Sequence, residues 1–190
     1  MLAILPAAAA LAPVVAWGQA RRADAASPAN KDYAAACAQG NAKYAVREYD
    51  GAAAAYRKAT QVAPEKPLAY YLLGEALLAS GNLTDAESAW TQALEASDKD
   101  VSLHARVLFC LADLKERQRR WEDAKVAWQA YLDWAEHHPN ASAFPQSAQS
   151  RMHVLDGVIK QDKQTEIVRQ RIAASADGGV FSDPAKSPPK

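Results

Sequence analysis

The segment Gly40–Pro64, GNAKYAVREYDGAAAAYRKATQVAP, recurs without a gap as Gly74–Asp98, GEALLASGNLTDAESAWTQALEASD. Gly40 falls on Gly74, Tyr49 on Leu83, Ala52 on Ala86, Tyr56 on Trp90 and Ala59 on Ala93, all at an offset of 34 residues. A third copy is Leu111–Leu132, LADLKERQRRWEDAKVAWQAYL. There Leu73 falls on Leu111, Gly74 on Ala112, Leu83 on Trp121, Ala86 on Ala124 and Trp90 on Trp128, at a uniform offset of 38. The four extra residues lie before Leu111, in SDKDVSLHARV. Four residues are about one helical turn, so the insertion keeps the faces of that helix in phase. A unit of this length cannot bury its apolar face alone, and three or more must stack to make a continuous core.

The secondary structure of the unit follows from composition. The chain is rich in alanine, the best helix former, and has 8 glycines in 190 residues. No long β-branched or aromatic run alternates with period two, so strands are not expected. Helix pairs are predicted at Tyr33–Val46 with Tyr49–Val62, Pro67–Ala79 with Thr84–Ala96, and Val101–Arg119 with Trp121–Glu136. The stretch HHPNASAFP, with Pro139 and Pro145, interrupts the helical pattern. Helical spacing resumes from Pro145 to about Ala174 through Met152, Leu155, Val158, Ile159, Ile167 and Ile172.

The repeat resembles the tetratricopeptide repeat over about Tyr33–His138. Tyr70, Leu73, Gly74, Leu77, Ala86, Trp90 and Ala93 of the middle copy stand where the family pattern places them. The first copy has Ala36 for the early aromatic, and the third has Ala112 for the glycine. The resemblance implies an all-α, right-handed superhelical α-solenoid of three helix pairs, with residues 145–174 as a long C-terminal capping helix. The expected division is 33–66, 67–100 and 101–138 for the repeats, 26–32 for a linker and 175–190 for a disordered tail. Gly or Ala is needed where two helix backbones approach closely, and Tyr56, Trp90 and Trp128 plug the gap to the neighbouring repeat. Cys37 and Cys110 fall on the first helices of the first and third repeats. Each repeat advances by about 10 Å, a helix spacing, so no Cys37–Cys110 disulfide is expected.

The resemblance also implies a binding face, because the first helix of each pair lines a concave groove in this family. The positions carried over are Cys37, Asn41 and Tyr44 in the first copy and Tyr71, Glu75 and Leu78 in the second. In the third they are Arg106, Phe109, Asp113, Glu116 and Arg117. An aromatic surface of mixed charge suits an extended or helical peptide of a partner protein. Some family members clamp a chain-terminal carboxylate. Asn41 and Arg106 fit that pattern, but Cys37, Leu72 and Cys110 stand where it wants Lys, Asn and Arg, so that function is not supported.

Residues for chemistry are scarce. His137 and His138 are neighbours, do not share a helix face, and suit a helix C-terminus. His104 and His153 are isolated, and Glu48, Asp50, Asp85, Glu122 and Asp123 fall at turns and helix starts, where they suit caps and the helix dipole. No phosphate loop, nucleophile elbow or Cys-x-x-Cys is present, so neither catalysis nor a metal or cofactor is expected. Lysine plus arginine equal aspartate plus glutamate at 22 each, which gives no long-range pull toward nucleic acid or anionic lipid.

Residues 1–25, MLAILPAAAALAPVVAWGQARRADA, are uncharged up to Arg21 and end in small residues. They read as a signal peptide, with an uncleaved membrane anchor as the alternative. The expected protein is therefore an exported, non-catalytic adaptor of bacterial type, periplasmic or secreted. Alternatively it is anchored with its repeats outside the cytoplasm. An assembly factor or chaperone for an envelope complex (secretion, outer-membrane assembly or cytochrome maturation) is the second reading.

Overall fold

The computed structural model describes residues 27–177. The expected signal peptide or anchor at 1–25 and the tail beyond 177 lie outside the described residues. The fold is all-α: seven helices and no strand among the described residues. They are α1 Pro28–Ala45, α2 Tyr49–Val62, α3 Pro67–Ala79, α4 Leu83–Ala96, α5 Val101–Arg117, α6 Trp121–His137 and α7 Pro145–Asp177. The described residues divide into two compact units between Val107 and Leu108. The division falls within α5.

The expected linker at 26–32 is corrected by α1, which begins at Pro28. Ser27 is its N-cap, with Oγ accepting from Asn30 N–H at 3.2 Å, and Pro28 occupies the first turn. That Ser-Pro pair satisfies an orphan donor and presets φ for the helix, so the helix starts earlier than the apolar pattern alone suggests.

In the first unit α1 packs on α2, α2 on α3 and α3 on α4. Small residues line the contacts: Ala52, Ala53, Ala55 and Ala59 on α2, Ala69 and Ala76 on α3, and Ala86, Ala89 and Ala93 on α4 are all buried. Alanines at this density let the helix axes come close, and the large rings fill what remains. Tyr56 and Trp90 are 2% and 1% exposed.

In the second unit Phe109, Trp128 and Tyr131 meet edge-to-face, with centroids 4.9 Å, 5.8 Å and 5.9 Å apart. This is the favoured arrangement for ring quadrupoles. α7 packs on α6, burying Ala148 and Leu155. Lys163 pairs with Glu122 at 2.8 Å, and Trp121 Nε1 donates to Asp162 Oδ2 at 2.9 Å. These contacts run from Ala148 to Lys163 of α7. Of the residues whose spacing predicts the helix, Leu155 is buried, whereas Ile167 and Ile172 are 49% and 64% exposed.

Each helix pair turns through one left-handed residue at the same repeat position: Arg47 (φ 63°), Gly81 (φ 87°) and Arg119 (φ 58°). The hydrogen bonds repeat with it. Glu48 N–H donates to Lys43 O, Asn82 N–H to Leu77 O and Arg120 N–H to Lys115 O, each at 2.9 Å. This is a glycine-type helix stop, occupied by glycine only once. An L side chain is disfavoured there, whereas glycine loses more chain entropy on folding. We expect Arg47→Gly to raise stability by about 0.5 kcal/mol and Gly81→Arg to lower it by about 1 kcal/mol, measured by urea unfolding.

Candidate functional site

The rings that plug the repeats also shape the surface above them. A Cβ on Gly40 would lie 2.4 Å from the Tyr56 ring, and one on Gly74 would lie 2.3 Å from Trp90 Nε1. Each glycine is therefore a seat for a ring from the partner helix. The three rings end on three different acceptors. The Tyr56 hydroxyl donates to Asn41 Oδ1 at 2.7 Å, Trp90 Nε1 to the Tyr71 carbonyl at 3.2 Å, and Trp128 Nε1 to Glu116 Oε1 at 2.5 Å. Where Ala112 replaces the seat glycine, the indole N–H finds a carboxylate instead of a backbone carbonyl.

These bonds organise a cleft of about 380 Å³ in the first unit, lined by Asn41, Tyr44, Ala45, Tyr56, Tyr71, Leu72 and Glu75. Four of the residues carried over from the sequence, Asn41, Tyr44, Tyr71 and Glu75, thus come together. α1 supplies Asn41 and Tyr44, three residues apart, and α3 supplies Tyr71 and Glu75, four apart, so each pair shares a helix face. Tyr44 stacks edge-to-face on Tyr49, with centroids 5.2 Å apart. Burial, then the charge of Glu75, pushes the Tyr44 phenol up. Tyr56 is likewise pushed up, first by burial. Leu78 is half-buried and does not line the cleft, and Arg106 is exposed outside it.

The residues carried over from the third copy have another use in the second unit. Phe109 belongs to the aromatic cluster. Glu116 accepts from Trp128 and pairs with Arg151 of α7 at 3.0 Å. Asp113 pairs with Arg117 at 2.6 Å and lies 3.8 Å from Arg151. Arg151 carried no signal in the sequence, because an ion pair over this separation leaves no local pattern.

Cys37 adjoins Tyr33, whose ring lies under Lys66 Nζ at 4.3 Å. Burial pushes the Cys37 thiol up, against the lowering effects of Tyr33 and Lys66, and Tyr33 is pushed up as well. Neither Cys37 nor Cys110 is in a disulfide.

The remaining polar candidates serve the fold. His137 and His138 donate from Nδ1 to the carbonyls of Asp133 and Trp134 at 2.7 Å and 3.0 Å, which closes α6. His104 is not isolated. It is buried, with Nδ1 2.9 Å from Ser97 Oγ, which itself donates to the Leu94 carbonyl at 2.8 Å. Asp50, Asp85, Glu122 and Asp123 sit in first helical turns, where they complement the dipole. The N-cap positions Glu48, Asn82 and Arg120 make no side-chain cap bond.

A second cleft, of about 330 Å³ around Trp121, is lined by charges that already pair: Arg120 with Asp123 at 2.7 Å and Lys163 with Glu122 at 2.8 Å. Among the described residues no group of His, Cys, Asp and Glu is arranged to hold a metal ion.

A tetratricopeptide-repeat family model matches residues 37–102 and 79–141. No curated protein matches the chain. Solved structures of similar fold include the Arabidopsis OM64 TPR domain, at 18% identity and a TM-score of 0.53, covering 66% of this chain and 94% of that one. The TPR2B domain of yeast Sti1, in a complex with pHsp70, is 16% identical with a TM-score of 0.58, covering 67% and 98%. The first TPR of Spaghetti (RPAP3), bound to the HSP90 peptide SRMEEVD, is 15% identical with a TM-score of 0.55, covering 68% and 94%. With its matches spanning more than half of the sequence, and ring seats and left-handed turns recurring at the repeat offsets, the chain belongs to the tetratricopeptide-repeat family.

Proposed function

We propose that this protein is a non-catalytic interaction module that holds a segment of a partner protein against the face of α1 and α3. The observation that carries this is the Asn41–Tyr44–Tyr71–Glu75 cleft. Tyr44 and Tyr71 are half-buried and, unlike Tyr56 in the cleft lining, are not rings that plug the repeats. Half-buried aromatics around a polar group are the kind of surface on which a few anchors supply most of the binding energy. The reading is supported by the similar fold of the yeast Sti1 TPR2B domain, in a complex with pHsp70, and of the first TPR of RPAP3, bound to an HSP90 peptide.

The test is capture of partners from the producing cells by wild type, by a Tyr44→Ala/Tyr71→Ala variant and by Val126→Ala. Val126 is 70% exposed and is not among the residues that line the cleft. We expect the double variant to lose its partners by about tenfold or more while keeping its helical signal, and Val126→Ala to retain them. Equal recovery by all three would refute the assignment. Phe109 is unsuitable for this purpose, because its removal would disturb the aromatic cluster.

The export reading of residues 1–25 belongs to the same proposal and directs the search to envelope partners, including complexes that need an assembly factor. Fractionation with N-terminal sequencing of the mature chain tests it. Recovery of an intact N-terminus in the cytoplasm would exclude it.

A further inference from the structure

We propose that α7 pairs, antiparallel, with α7 of a second copy of this chain along the stripe Val154, Val158, Gln161, Thr165, Val168 and Ile172. On the side of α7 that packs on α6, Ala148 and Leu155 are buried, and Met152 and Ile159 on the same face are half-buried. The stripe lies about a third of a turn round the helix from that face. Its spacing alternates four and three residues, which is the seam of a helix that packs lengthwise on another helix. The fold leaves it bare. Val154, Val168 and Ile172 are 62%, 52% and 64% exposed, and every residue from Lys160 to Ser175 is exposed. A helical stretch as short as 164–175 is marginal in water unless something packs on it, and Thr165, Ile167, Val168 and Ile172 are weak helix formers. Gly157 flanks the stripe, and a Cβ built there meets no atom within 4 Å. The fold has no need of that glycine, whereas it lets a second helix come close.

The order of residues along the stripe selects the occupant. It reads apolar, apolar, polar, polar, apolar, apolar at spacings of 4, 3, 4, 3 and 4, and both series are unchanged on reversal. Two antiparallel copies centred on Lys163 therefore place Val154 on Ile172, Val158 on Val168 and Gln161 on Thr165. Each pair occurs twice, as a two-fold interface requires. The Thr165 hydroxyl donates to the Gln161 carbonyl of its own helix at 2.9 Å, which leaves its oxygen to accept from the Gln161 amide of the other copy. Asp162, beside the seam, is turned toward α6, where it accepts from Trp121 Nε1. Antiparallel pairing also lays the unsupported end of each α7 on the supported part of the other. A parallel pair would leave the two unsupported ends only on each other.

The experiment measures the mass of the full chain by sedimentation equilibrium over a concentration series, beside Val168→Asp, Ile172→Asp and Ile167→Asp. All three side chains are exposed, so the helical signal should be kept, and Ile167 lies off the stripe. We expect the wild type to reach twice the monomer mass. Val168→Asp and Ile172→Asp should each raise the dissociation constant by about tenfold or more, and Ile167→Asp should leave it within about threefold. A monomer at every concentration, or equal losses from Ile167→Asp and Ile172→Asp, would overturn the seam. Oxidative cross-linking reads the direction. A Val154→Cys chain mixed with an Ile172→Cys chain should give a linked dimer above the wild-type background, whereas Ile172→Cys alone should not. Cross-linking of Ile172→Cys to itself would overturn the antiparallel arrangement.

Discussion

Trp90→Ala is expected to lower the unfolding free energy by about 3–5 kcal/mol, the range for deleting a large buried ring. The indole is 1% exposed, sits on Gly74 and donates to the Tyr71 carbonyl at 3.2 Å. Its loss leaves a cavity between α3 and α4, whose buried alanines carry only a methyl group each and cannot fill it. Trp90→Phe removes the N–H but fills most of the volume, so it should cost clearly less. Urea unfolding followed by circular dichroism measures both. A cost below about 1 kcal/mol for the alanine variant would mean that the ring is not the plug described here.

Gly74→Ala is expected to cost about 1–3 kcal/mol, because the new methyl would lie 2.3 Å from Trp90 Nε1 and the ring must shift. The third copy shows how such a shift can be accommodated. Ala112 stands at the glycine position, and Trp128 donates to Glu116 at 2.5 Å. Glu116 corresponds to Leu78 at the same offset. Adding Leu78→Glu to Gly74→Ala should therefore recover part of the loss, so that the pair is less destabilised than the sum of the two single variants by about 0.5 kcal/mol or more. Strict additivity in the double-mutant cycle would refute this account of the Ala112 copy.

The repeat period decided most of the architecture from the sequence alone. Gly40, Gly74, Tyr56, Trp90 and Trp128 declare themselves because a close helix contact demands a specific size at a specific position, and that demand recurs at each copy. Helix order and type follow from the same periodicity. The start of α1 was less legible from apolar spacing, since Ser27 and Pro28 act through capping and preset dihedrals rather than burial. The exposure of Ile167 and Ile172 could not be read at all, because helical spacing shows that a face exists and not whether anything covers it.

The candidate site divides along the same line. Asn41, Tyr44, Tyr71 and Glu75 were reachable as repeat positions that packing does not require. Which of the corresponding positions remain open was decided only by tertiary structure. Asp113 stands at the Glu75 position and Glu116 at the Leu78 position, and α7 brings Arg151 onto both. A repeat fixes the neighbours within a copy, because those contacts are local and periodic. The residue that arrives from a non-repeating helix is set by where that helix packs, and no offset in the sequence encodes it.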